Sequence, residues 1–62
     1  MHVMLDLIHI ADKALEAMIS IELHYHSYNN YKNHVVFHYI SGARYKVVVN
    51  KTTKKAIAIM KK

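Results

Sequence analysis

The chain has no cysteine, no proline and a single glycine in 62 residues. Without cysteine, neither a disulfide nor a cysteine-bound zinc can staple so short a chain. That absence also fits a cytoplasmic protein, the location expected here. No apolar run approaches the roughly 18 residues of a membrane span, because charges interrupt the apolar first half, so no membrane partner is expected. The amino terminus has no basic n-region, so no secretory signal is expected. No acid occurs after Glu22, no internal repeat is visible, and no Gly, Pro or Asn lies between Asp12 and Asn29.

What remains is rich in apolar side chains, 53% of the chain. In the first half, polar residues at His2, Asp6, His9, Lys13, Glu16, Ser20, His24 and Ser27 recur at steps of three and four, one wetted stripe on an α-helix. This spacing predicts a long amphipathic helix over about 2–28, stopped by Asn29-Asn30, because Asn tolerates the left-handed conformation that ends helices. A rival pattern overlaps it. Ile19, Ile21, Leu23 and Tyr25 alternate with Ser20, Glu22, His24 and His26, which reads as a strand and gives the alternative of a shorter helix followed by four strands.

Residues 28–33 read as a loop by composition. Three strands follow, at about 34–40, 44–50 and 54–61. A three-residue turn at 41–43 sets Tyr39 opposite Tyr45, Phe37 opposite Val47 and Val35 opposite Val49; a two-residue turn would waste that apolar alternation. One face of the meander is then Val35, Phe37, Tyr39, Tyr45, Val47, Val49, Ile57 and Ile59, expected to cover the helix. The other carries His34, Val36, His38, Ile40, Arg44, Lys46, Val48, Lys54, Ala56, Ala58 and Met60. The fold class is α+β in a single domain over 1–62. A helix of about 26 residues, roughly 39 Å long, would overhang strands of roughly 23 Å. Its uncovered apolar turns predict a homodimer through Leu5, Ile8, Leu15 and Met18.

Charge is segregated along the chain. Residues 1–22 hold all four acids and one base, Lys13, while residues 23–62 hold the other eight bases and no acid, which gives −3 and +8 and the net +5. Such asymmetry suits a polyanionic partner, either a protein with an acidic surface or a nucleic acid. The expected contact residues are Arg44, Lys46, Lys51, Lys54, Lys55, Lys61 and Lys62, with Tyr28, Tyr31 and Lys32 as the free tyrosines and base of the loop. The bland reading is a solvated, solubilising surface.

Chemistry-bearing patterns are few. His24 and His26 would point about 200° apart on a helix, and His34 with His38 would stand about 13 Å apart on a strand, so neither pair shares an ion in the favoured assignment. No metal and no cofactor is expected, and the histidines read as surface or interface groups. An acid–base site for RNA cleavage needs two convergent proton-transfer groups, and no spacing here enforces that. Helix-turn-helix, zinc-finger, Walker and RNA-binding aromatic signatures are missing.

The helix-then-meander order, with Tyr45-Lys46-Val47-Val48-Val49-Asn50-Lys51-Thr52-Thr53, resembles small secreted PepSY-type domains; the hairpin pattern is a common one, and no family is assigned from it. Size, missing staples and an Asn/Lys/Ile/Tyr-rich composition resemble small accessory proteins of phages and mobile elements, which inhibit host machinery. The expected function is a non-enzymatic, self-associating protein that binds another macromolecule. The alternatives are sequence-tolerant nucleic-acid binding by the basic carboxy-terminal sheet and a small RNA-cleaving toxin.

Overall fold

The computed structural model describes residues 3–61. One helix, α1 (Val3–Ile19), packs on an antiparallel sheet of β1 (Ser27–Asn30), β2 (His34–Ser41), β3 (Ala43–Asn50) and β4 (Ala56–Lys61), in the order β1-β2-β3-β4. The fold is α+β, with the shorter helix and four strands of the alternative reading rather than the longer helix and three.

The helix stops because Ser20 takes a left-handed conformation, φ 61°, while its N–H still donates to the Glu16 carbonyl at 2.7 Å. Beyond it neither the helix nor the strand expected there forms; the first strand begins only at Ser27. Residues 20–26 run irregularly, and Leu23 and Tyr25 reach back onto the core. A helix continued through this segment would carry both side chains past the end of the sheet. The 17 residues of α1 span about 26 Å, close to the roughly 27 Å of an eight-residue strand. The overhang expected of a longer helix, and the argument for a helix-mediated dimer built on it, fall away.

Apolar alternation dictates the β2–β3 register, and the structure has it as read: Tyr39 faces Tyr45, Phe37 faces Val47 and Val35 faces Val49, around Gly42 at φ 71°. Leu7, Ala11 and Leu15, one turn apart on α1, are buried against Val35, Phe37, Tyr39, Val47 and Val49. Leu15 is therefore a core residue and not a free subunit contact. Ile8 is half-buried against the same core, and Leu5 and Met18 are exposed.

Two strands differ from expectation. The segment 27–30, read as helix end and loop, is the edge strand β1, where Tyr28 sits opposite Phe37. Tyr25 meets Tyr28 and Phe37 edge-on and Tyr28 meets Phe37 at a tilt, with centroids 5.6–5.9 Å apart, a cluster that holds this short polar strand in place. Tyr28 is thus partly spent on packing. In β4 the alternation is inverted: Ala56 and Ala58 pack on the core, while Ile57 and Ile59 turn outward, 66% and 42% exposed. The helix lies closest to β3 and β4, and the space beneath it at the β4 edge suits alanine, not isoleucine.

Candidate functional site

The sheet is covered on one face only. The register places Val36 beside Val48 and Ile57, His38 beside Lys46 and Ile59, and Ile40 beside Arg44. With Ser27 and Asn29 of β1 these residues form an open face with an aliphatic band in its middle. Val36 and Val48 are half-buried by their neighbours alone, and Ile40 is 55% exposed.

Cationic groups stand at both ends of this band. At the Gly42 end, His26, Ser27, Tyr28, Asn29, His38, Tyr39, Ile40, Arg44, Tyr45 and Lys46 line a shallow depression of about 490 Å³. Its geometry comes from β1. The His26 N–H donates to the His38 carbonyl at 2.6 Å, extending the ladder one residue before β1, and the His38 ring Nε2 donates to Asn29 Oδ1 at 2.7 Å. No acid lines it. At the other end, His34, Val48, Asn50, Thr53, Lys55 and Ile57 line a second depression of about 370 Å³. There the two turns are bound together, the Lys51 N–H donating to the Asn33 carbonyl at 2.9 Å, and Tyr31 stacks on His34 with centroids 4.9 Å apart.

The expected basic zone is therefore two zones. Arg44 and Lys46 share the open face as read, and Lys61 pairs with Arg44 along the backbone. Lys54 does not join them: it sits in the β3–β4 turn at φ 64°, with Lys51 and Lys55, at the far end of the sheet. Tyr31 and Lys32 lie in the neighbouring β1–β2 turn, on that same end, and both are exposed. Lys62 lies outside the described residues.

Acids occupy the opposite layer. Asp6, Asp12 and Glu16 are on α1, Glu16 within 3.9 Å of Lys13, and Glu22 is in the segment that follows. Among the described residues the one clearly perturbed titration is on the helix side too. Tyr39 is held protonated well above the usual phenol range, first by burial and then by its hydrogen bond to Asp12. Among the described residues no three His, Asp or Glu side chains converge as a metal set.

His26 and Asn29 were not singled out as site residues. His38 was legible on the open face from the register, but the strand that brings Asn29 and His26 to it reads as loop in the sequence. Comparison with protein-family models, with curated proteins and with solved structures returned no match.

Proposed function

We propose that this protein is a non-enzymatic binding module that docks an acidic protein surface on the open face of its sheet. The observation that carries the reading is the aliphatic band of Val36, Val48, Ile57 and Ile59 between two cationic ends, with no described acid on that face. An apolar centre within a polar, charged rim is the anatomy of a protein interface. Carboxylates of a partner would meet Arg44, Lys46 and His38 at one end and Lys55 at the other. Nucleic-acid platforms on sheets present aromatic rings for base stacking. Here Phe37, Tyr39 and Tyr45 belong to the helix side of the sheet, and the band is aliphatic, so a protein partner is favoured. A module of this kind acts by occupying its partner's surface, in keeping with the inhibitory role expected from composition.

The test is capture of partners from nuclease-treated lysate by the wild-type chain, by Arg44→Glu with Lys46→Glu, and by Val36→Thr with Val48→Thr. The expected result is an acidic protein retained by the wild type at moderate salt and lost from both variants. Binding of a single-stranded oligonucleotide that collapses with added salt, and that ignores the valine changes, would replace this reading with the nucleic-acid one. A partner held equally by all three chains would remove the open face from consideration.

A further inference from the structure

The two edges of the sheet are unlike. β1 is four residues long and polar, Ser-Tyr-Asn-Asn, whereas β4 is six residues long and reads Ala-Ile-Ala-Ile-Met-Lys. Exposed apolar edges of this kind template pairing with another chain, and natural sheets blunt them with proline, charge or a bulge. The β4 edge has none of these between Ala56 and Met60.

The free backbone groups on that edge can be assigned. The Asn50 N–H donates to the Lys55 carbonyl at 2.9 Å, which makes Asn50 and Lys55 a hydrogen-bonded pair. Alternation along the β3–β4 ladder then turns the N–H and C=O of Ile57 and Ile59 toward β3 and those of Ala56, Ala58 and Met60 outward. Among the described residues no other segment lies beyond β4 to receive them.

We propose that β4 pairs antiparallel with β4 of a second copy, about a two-fold axis through Ala58 and perpendicular to the sheet. In this register Ala58 faces Ala58 of the second copy, Ala56 faces Met60, and Ile57 faces Ile59. All three outward-turned residues are used, for about six backbone hydrogen bonds; a shift of two residues leaves Ala56 or Met60 without a partner. Side chains match across the seam, small beside large on the helix side and isoleucine beside isoleucine on the open side. Lys55 comes opposite Lys61 at each end of the paired segment, a like-charge pair that opposes the seam less as salt is added. The two four-stranded sheets become one of eight strands, and the rows His38–Lys46–Ile59 and Ile57–Val48–Val36 run on into each other across the seam.

The helix supplies a second observation. Asp12 is tied to Tyr39 of β2, so that flank of α1 faces β2. At about 100° per residue, Ile10, Ala14 and Ala17 lie roughly half a turn round, above the β4 edge. On this flank Ile10 and Ala14 are half-buried and Ala17 exposed, with exposed Asp6 one turn before Ile10. The same two-fold axis brings the two flanks together, where alanine permits close helix approach.

Sedimentation of the wild-type chain at tens of micromolar is expected to give twice the 7.2 kDa chain mass, with the amides of Ala56, Ala58 and Met60 protected from hydrogen exchange. Ala58→Pro removes an outward N–H and no bond to β3, so it is expected to give a monomer with unchanged circular dichroism. Ile57→Lys with Ile59→Lys changes only exposed side chains and is expected to do the same, should the proline variant fail to fold. A monomeric wild type overturns the proposal, as does a folded variant that stays dimeric or fast exchange at Ala58 in a dimer. Sedimentation of the isolated chain reads the dimer with no partner present, and Ala58→Pro leaves every side chain of the open face in place, so the dimer and the acidic-partner reading fail separately.

Discussion

The Tyr39 hydroxyl donates a hydrogen bond of 2.6 Å to Asp12 Oδ1, across 27 residues of chain. It joins the outer flank of the helix to the second strand, and so fixes which way round the helix sits on the sheet. Buried apolar packing is non-directional; this bond is not. Tyr39→Phe keeps the ring in the core and removes only the donor. We expect a loss of about 1–2 kcal/mol in denaturant titration at neutral pH, the scale of a hydrogen bond to a carboxylate at the edge of a core.

The same residue predicts an alkaline weakness. Its folded-state pKa is raised above the ordinary value of about 10, so the folded chain holds this proton more tightly than the unfolded chain does. The stabilisation is complete below about pH 10 and is lost as pH rises above it. Wild type should therefore lose its advantage over Tyr39→Phe on going from about pH 8 to about pH 11. Tyrosinate absorbance supplies a direct check: one of the five tyrosines should ionise only as the fold melts.

Leu15 and Leu5 separate core from surface on one helix. Leu15 is 1% exposed and Leu5 60%. Leu15→Ala should cost about 2–5 kcal/mol through lost burial and the cavity left behind. Leu5→Ala should stay within about 0.5 kcal/mol. Equal losses in thermal melts would contradict the helix orientation.

Ser20 closes the helix at φ 61°, where a Cβ is crowded against the backbone. Ser20→Gly relieves that crowding at the cost of a freer unfolded chain, and should stabilise the fold by about 0.5–1 kcal/mol. A destabilised glycine variant would mean that Ser20 holds the turn by another interaction.

Asn50 organises the β3–β4 turn, its Oδ1 accepting the N–H groups of Thr52 at 2.8 Å and Thr53 at 2.9 Å. Asn50→Ala should cost about 1 kcal/mol and raise amide exchange first in residues 51–56, because the side chain imitates the missing backbone acceptor.

The sequence by itself determined the central hairpin. Period-two alternation on both sides of Gly42 admits one register that keeps valine and aromatic rings on a single face, and Tyr39 to Tyr45 pair in it. It also determined the placing of Arg44, Lys46 and His38 on the uncovered face. Three matters were decided only in the tertiary structure. Residues 19–26 satisfy helical and strand periods together, yet 20–26 adopt neither, running irregularly so that Leu23 and Tyr25 reach the core. β4 has two possible phases, and hydrophobicity favours the wrong one; the nearness of α1 admits Ala56 and Ala58 beneath it and sends Ile57 and Ile59 outward. The lysines 51, 54 and 55 are neighbours of Arg44 and Lys46 in sequence but stand a strand's length away in space, because local spacing carries no knowledge of which end of a hairpin a turn occupies.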